Sequence, residues 1–117
     1  GAAVFMHSGW ESRVGSAQAF RNPDASGTMH FPGFHPDAVA FLLAERDVVG
    51  IGVDTLSLDH GPSKDFKVHT TWLPANRWGL ENLANLARIP PAGATVFVGA
   101  PKVADGSGGP ARVVAVW

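Results

Sequence analysis

The chain contains no cysteine. It therefore has no disulfide framework, no thiolate metal site and no cysteine nucleophile. Any bound metal must be held by imidazole, carboxylate and water, a ligand set that suits Zn²⁺ or Mn²⁺ better than soft metals. The absence of cysteine also fits the cytoplasm, which is where we expect the protein to act.

The chain also lacks an excess of charge of either sign and any long apolar run. Nine Lys and Arg residues stand against ten Asp and Glu residues, with no run of like charges, so we expect no binding to nucleic acid. The longest apolar stretches, at 48–53 and 96–101, are far shorter than the roughly 18 residues of a transmembrane helix. We therefore expect a soluble protein with no membrane partner.

An initiator methionine is also missing. The chain starts at Gly1 and enters an apolar, strand-like segment at once, so we expect it to be cut from a longer protein. Its 117 residues and 45% hydrophobic content fit a single domain over residues 1–117 with one core.

The hydrophobic pattern predicts alternating strands and helices. The predicted strands are 4–7, 48–53, 94–100 and 111–116, and the predicted helices are 35–46 and 82–87. Pro36 at a first helical position and Asp37 in the first turn favour the first helix. The apolar segment at 48–53 is punctuated by glycine and is typical of a central strand covered on both faces. Residues 11–33 show little periodicity and are predicted to form a long loop that could act as a lid.

His69 and Glu81 lie in a region that is otherwise apolar and nearly uncharged. A carboxylate there needs a compensating group such as a metal ion. A hydrolytic metal site requires such ligands and an open position where bound water loses a proton. Alternatively, His69 is a core or loop histidine with a local partner, and Glu81 caps the short helix that follows it.

Two carboxylates, Asp54 and Asp59, follow the predicted central strand. Polar side chains just past a buried strand often build sites. Either carboxylate could orient His69 or accept backbone N–H bonds in the turn. We predict that Asp54 orients His69 and that Asp59 takes the turn role.

Aromatic side chains could line a substrate pocket near this region. The candidates are Trp72 and Trp78, each of which could equally be an ordinary core residue. His30 would face a substrate if the long loop folds over the site. Ser57 lies in no G-x-S-x-G elbow, and the glycines at 106–109 lack the lysine of a phosphate loop and connect a hairpin instead.

Four segments of the chain occur together in a fixed order. They are G-I-G-V-D-T-L-S-L-D at 50–59, V-H at 68–69, L-E-N-L at 80–83 and G-S-G-G-P-A-R-V-V-A-V at 106–116. This series resembles the C-terminal half of the cyclase family of metal-dependent hydrolases, of the kynurenine formamidase and isatin hydrolase type. The resemblance implies an α/β fold, with a mixed sheet, flanking helices and a swivelling β/β/α-like architecture whose N-terminal part is missing.

The resemblance also implies metal ligands. His69 and Glu81 match the downstream ligand pair of the family, whereas the upstream H-x-G-T-H-x-D-x-P-x-H element does not occur. Three further ligands and the histidine expected to act as general acid or base are therefore absent, and we predict no catalytic residue in this chain.

The implied function is hydrolysis of a small aromatic amide, either an aryl formamide or a cyclic amide, by water activated on Zn²⁺ or Mn²⁺. The expected partner is a second copy in a homodimer or a chain that carries the missing N-terminal half. The alternative is a noncatalytic fold fragment that serves as an interaction or oligomerisation module, or one that a second chain completes in trans.

Overall fold

The computed structural model describes residues 1–117, which divide into two compact units, Gly1–Leu86 and Ala87–Trp117. The predicted mixed α/β class is confirmed. The strands are β1 (Ala2–Met6), β2 (Val48–Val53), β3 (Trp78–Leu80), β4 (Thr95–Gly99) and β5 (Arg112–Val116), and the helices are α1 (Ala17–Arg21), α2 (Pro36–Glu45) and α3 (Lys67–Trp72). Short 3-10 turns cover Trp10–Arg13, Leu73–Ala75 and Leu86–Arg88. No helix is both long and apolar enough to cross a membrane. The prediction of a single domain over residues 1–117 stays a prediction.

The first unit contains a parallel sheet in the order β1-β2-β3. The predicted central strand is confirmed with its bounds, and all but one of its residues are buried. Its β-branched and glycine residues suit a strand that is covered on both faces. Because the three strands are parallel, their carboxyl ends lie at one edge of the sheet. The loops after β1, β2 and β3 therefore begin close together.

Glycine in β2 lets a large aromatic ring lie against the strand. A Cβ atom at Gly50 would lie 2.2 Å from the ring of Trp78, its partner on β3. The indole of Trp72 donates to the carbonyl of Trp78 at 2.9 Å. This hydrogen bond joins the end of α3 to the start of β3. Because β3 has only three residues, the position of its last residue is fixed as well.

Helix α2 forms as the sequence predicts. Pro36 is its first residue, and the imidazole of His35 accepts from the amide of Asp37 at 3.2 Å, which satisfies one of the free N–H groups of the first turn. Val39 turns inward and is fully buried. The core of this unit comprises Phe34, Val39, Val48, Ile51, Val53, Leu58, Val68 and Trp72.

The predicted helix over 82–87 is wrong. Asn82 and Asn85 adopt left-handed backbone conformations with φ of 56° and 64°, which interrupt a right-handed helix. The amides of Asn82 and Leu83 instead donate to carbonyls at and just after the end of β2, at 2.9 and 3.0 Å. The leucine spacing thus reflects burial of Leu83 and Leu86 in an irregular segment.

The pattern also missed α1, α3 and β3. Helix α1 and all but the first residue of the 3-10 turn at Trp10–Arg13 lie inside the segment predicted to be a long loop. Helix α3 begins after Phe66, which has a left-handed backbone and gives no side-chain cap. Neither its first residues nor the three-residue β3 carry a local signal that distinguishes them from a loop.

The second unit contains an antiparallel hairpin of β4 and β5. Both strands lie within one residue of their predicted bounds at each end. Pairing runs from Thr95 opposite Val116 to Gly99 opposite Arg112. The glycine-rich segment between them is the predicted hairpin connection.

Candidate functional site

Three titratable side chains meet at the carboxyl edge of the parallel sheet. His69 lies in α3, Asp59 in the loop after β2, and Glu81 directly after β3. The Nδ1 atom of His69 lies 2.6 Å from Oδ2 of Asp59, and its Nε2 atom lies 3.2 Å from Oε1 of Glu81. One imidazole therefore bridges two carboxylates.

Asp59 is held by the helix that carries His69. Its carboxylate accepts from the amide of Val68 at 2.9 Å and from the amide of His69 at 3.1 Å. These amides belong to the first turn of α3, where N–H groups have no partner within the helix. Because Phe66 supplies no cap, Asp59 performs that role from outside the helix, and the negative charge lies at the positive end of the helix dipole.

The environment of Asp59 keeps its carboxylate ionised. Burial acts to raise its pKa, but the hydrogen bonds from the His69 side chain and from the amides of Val68 and His69 outweigh burial, so the pKa lies below its ordinary value. The side chain is only 3% exposed. Asp59 is thus a nearly buried anion that accepts from two backbone amides and lies 2.6 Å from Nδ1 of His69.

Glu81 is placed by the pairing of β3 with β2. Leu80 lies opposite Gly52, and Glu81 follows as the chain leaves the sheet. Its Oε1 atom accepts from the amide of Leu58 at 3.1 Å. The side chain is 34% exposed and that of His69 is 28% exposed, so both can reach a ligand at the surface of the unit.

His69 and Glu81 fit a metal ion in ligand type and in spacing. Imidazole nitrogen and carboxylate oxygen are ordinary ligands of Zn²⁺, and two ligands about 2.0–2.1 Å from a tetrahedral ion lie roughly 3.3 Å apart. The observed separation of Nε2 and Oε1 is 3.2 Å. No group of three or more His, Cys, Asp or Glu side chains that could hold a metal forms in this chain. The chain therefore offers a pair of ligands.

The carboxylate that orients His69 is Asp59, whereas the sequence analysis predicted Asp54. Asp54 accepts instead from the amide and hydroxyl of Ser8, at 3.1 and 2.5 Å, and from the amide of Trp10 at 3.0 Å. It ties the segment after β1 to the end of β2. The turn role predicted for Asp59 is also present, since the same carboxylate accepts backbone N–H bonds.

The three residues predicted to line a substrate pocket have other partners in the structure, and their role in binding substrate stays a prediction. Trp72 is fully buried in the core, so it has no surface to offer a substrate. Trp78 packs near Phe5, with ring centroids 6.5 Å apart. His30 is exposed and pairs with Asp24 at 2.9 Å. None of the three forms a hydrogen bond with His69 or Glu81.

Phe66 is an aromatic neighbour of His69 that was not predicted from the sequence. Its ring lies edge-on to the imidazole, with centroids 6.1 Å apart, and the residue is 53% exposed. Its φ of 48° is unusual for a bulky side chain. No sequence pattern marks this position, because a left-handed backbone is not expected at a phenylalanine.

Comparison with known proteins places this geometry in a family context. The family model described as "Putative cyclase" matches residues 1–60. An isatin hydrolase from Roseibium aggregatum is 35% identical over 120 residues, a match covering 99% of this chain and 45% of that protein. Isatin hydrolase A from Ralstonia solanacearum superposes with a TM-score of 0.91 at 42% identity, covering 98% of this chain and 45% of that chain.

A further isatin hydrolase structure, with the product analogue thioisatinate bound, gives a TM-score of 0.90 at 36% identity, with 98% of this chain and 45% of that chain covered. The chain spans somewhat less than half the length of these relatives. The family model nevertheless matches more than half of the chain itself. The chain therefore belongs to the Putative cyclase family.

Proposed function

We propose that this chain forms part of a metal-dependent hydrolase that opens a cyclic aromatic amide. The observation that carries the proposal is the convergence of His69 and Glu81, 3.2 Å apart, at the carboxyl edge of a parallel sheet. Ligand sites in open α/β folds commonly occupy this edge. Similarity to isatin hydrolases over nearly the whole chain supports the choice of substrate class.

His69 Nε2 and Glu81 Oε1 would hold the ion, which we propose to be Zn²⁺ or Mn²⁺. When bound, such an ion lowers the pKa of a water molecule and stabilises negative charge that develops on a carbonyl oxygen. Other residues of this chain would hold the two candidate ligands in position. Asp59 holds the imidazole, and the amide of Leu58 holds the glutamate.

The reaction adds the elements of water across the amide C–N bond of the substrate, giving a carboxylate and an amine. For a lactam fused to an aromatic ring, the two groups remain on one product molecule. Aryl formamides undergo the same bond cleavage with release of formate. We place the cyclic amide first because the relatives compared above are isatin hydrolases.

A second candidate function is a noncatalytic module, or a half-site that a second chain completes in trans. The specific observation in its favour is that the chain brings together only two candidate ligands, and a site with two protein ligands binds metal weakly. The partner would be a second copy of this chain or a chain carrying the remaining part of the fold.

Metal content and hydrolysis of isatin separate these functions. The purified chain is equilibrated with Zn²⁺ or Mn²⁺, dialysed, and analysed for metal per chain, while ring opening is followed by absorbance. We expect the chain to hold metal and to hydrolyse isatin once the remaining part of the fold is supplied, and His69→Ala should abolish this hydrolysis, with the exposed His35→Ala as the matched control. Metal near zero and no hydrolysis, in a chain that circular dichroism shows to be folded and light scattering shows to be dimeric, would favour the noncatalytic module.

A further inference from the structure

The two nitrogens of His69 have different partners. Nδ1 faces the nearly buried carboxylate of Asp59 at 2.6 Å, and Nε2 faces the more exposed carboxylate of Glu81 at 3.2 Å. We propose that Asp59 is a positioning residue that keeps a proton on Nδ1 of His69, so that Nε2 is the nitrogen available to bind a metal. The first half stands on the geometry alone, and the second rests on the proposed function.

The direction of the hydrogen bond follows from the chemistry of its two ends. An ionised carboxylate can only accept, so Nδ1 must donate to Asp59. Both oxygens of Asp59 already accept from backbone amides, which can only donate, so the carboxylate has the accepting role in this cluster. At 2.6 Å the contact is in the range of charge-assisted bonds.

Asp59 also restricts the position of the ring. Its Oδ2 atom accepts both from the backbone amide of His69 and from Nδ1 of the same residue, at 3.1 and 2.6 Å. Its Oδ1 atom accepts from the amide of Val68. A rotation of the imidazole that brought Nδ1 toward Glu81 would break the side-chain bond and leave a buried oxygen with fewer donors, which is costly.

The loop after β2 positions the second candidate ligand as well. Leu58 donates its amide to Glu81 at 3.1 Å, and its carbonyl accepts from the amide of Phe34 at 2.8 Å. Leu58 itself is 1% exposed. Two consecutive residues, Leu58 and Asp59, thus hold Glu81 and His69. A nitrogen ligand must present a lone pair, and carboxylates that fix the opposite nitrogen usually strengthen metal binding.

Nitrogen NMR of the imidazole tests the first half of the proposal without any metal. Long-range proton–nitrogen spectra of the ¹⁵N-labelled chain at about pH 8.5, where ordinary histidines are neutral, report which ring nitrogen carries a proton. We expect Nδ1 of His69 to be of the protonated type. An Nδ1 resonance of the unprotonated type in the folded wild-type chain would overturn the proposal.

Variants test whether Asp59 is the cause. In Asp59→Asn one of the two carboxylate oxygens is replaced by an NH₂ group, which donates and cannot accept. We therefore expect a smaller fraction of His69 to carry its proton on Nδ1. Asp54→Asn is the matched control, because Asp54 is equally buried but bonds to Ser8 and Trp10. An unchanged His69 spectrum in Asp59→Asn, or an equal change in Asp54→Asn, would contradict the assignment.

Titration with Zn²⁺ alone tests the second half. We expect Asp59→Asn to weaken zinc binding roughly 10- to 100-fold and Asp54→Asn to leave it unchanged. If the wild-type chain binds no zinc while Nδ1 is protonated, the proposed metal site fails and the positioning role of Asp59 stands. If zinc binds to His69 while Nδ1 is unprotonated or ligated, the positioning role fails and the metal site stands.

Discussion

The loops around Asp54 and Asp59 show how one arrangement of hydrogen bonds can serve two purposes. Both residues follow β2, and they are 1% and 2% exposed. Apart from a more distant hydroxyl, that of Ser63 at 3.4 Å from Asp59, each carboxylate accepts from two backbone amides and pairs with one side chain. The side chain is the hydroxyl of Ser8 at Asp54 and the imidazole of His69 at Asp59.

The difference lies in what the third donor can do next. The hydroxyl of Ser8 makes no hydrogen bond other than the one to Asp54, so Asp54 serves to fasten the segment after β1 to the sheet. An imidazole has a second nitrogen, and here that nitrogen faces Glu81. A buried carboxylate is therefore a structural anchor or a positioning group according to the residue that it holds, and burial alone does not distinguish them.

Removing the Asp59 side chain should give the largest loss of stability. Asp59→Ala leaves the first turn of α3 uncapped and the amides of Val68 and His69 without their acceptor. We expect the free energy of unfolding to fall by about 3–5 kcal/mol, the range for breaking a buried network that involves charge. Urea denaturation measures this loss, and a decrease below about 1 kcal/mol would show that the cap does not matter.

Removing the Asp54 side chain should cause a somewhat smaller loss of stability and should leave His69 unaffected. Asp54→Ala removes the acceptor of the amides of Ser8 and Trp10, and we expect a loss of about 2–4 kcal/mol. The nitrogen spectrum of His69 should match that of the wild type in the folded variant. A changed spectrum would mean that Asp54 also affects His69, which would contradict the distinct roles assigned to Asp54 and Asp59.

Protonation of Asp59 in acid should reduce the contribution of this residue to the free energy of unfolding. Because the folded-state pKa of Asp59 is lowered, its contribution is complete above the unfolded value near 3.8 and is lost as the pH falls through the lower folded-state value. The loss should be smaller than that of Asp59→Ala, since a protonated carboxyl still accepts hydrogen bonds.

Unfolding free energies of the wild type and Asp59→Asn, measured between about pH 2.5 and 6, isolate this contribution from those of other acids. The difference between the two proteins should shrink as the pH falls. A difference that is constant across the range would show that ionisation of Asp59 does not contribute.

The smallest loss of stability should come from removing the hydroxyl of Ser8, which bonds to Asp54. Ser8→Ala removes one side-chain bond at 2.5 Å and keeps the amide of Ser8. We expect a loss of about 0.5–1.5 kcal/mol, the range for a single hydrogen bond. Thermal unfolding measures it against Ser12→Ala as a control, whose hydroxyl bonds only to the carbonyl of Gly9 in an exposed turn.

The sequence predicted those parts of the fold that local patterns determine. The central strand follows from a short apolar run, and α2 follows from Pro36, Asp37 and an inward-facing Val39. It failed where a distant residue decides the structure. Helix α3 has its cap on Asp59, outside the helix, and the leucines that suggested a helix over 82–87 are buried without one.

The candidate site shows the same limit. His69 and Glu81 were singled out by residue type and context, and the structure brings their side chains together. The choice between Asp54 and Asp59 could not be made, because both follow the same strand and only the path of the loop decides which one reaches α3. The exposed ring of Phe66 beside His69 had no sequence signal at all.

The most direct test of this account is the nitrogen spectrum of His69 recorded with one equivalent of Zn²⁺. We expect the resonance of Nε2 to shift on metal binding while Nδ1 remains protonated and hydrogen-bonded to Asp59. Ligation through Nδ1, or zinc bound to the chain with no change at His69, would contradict it.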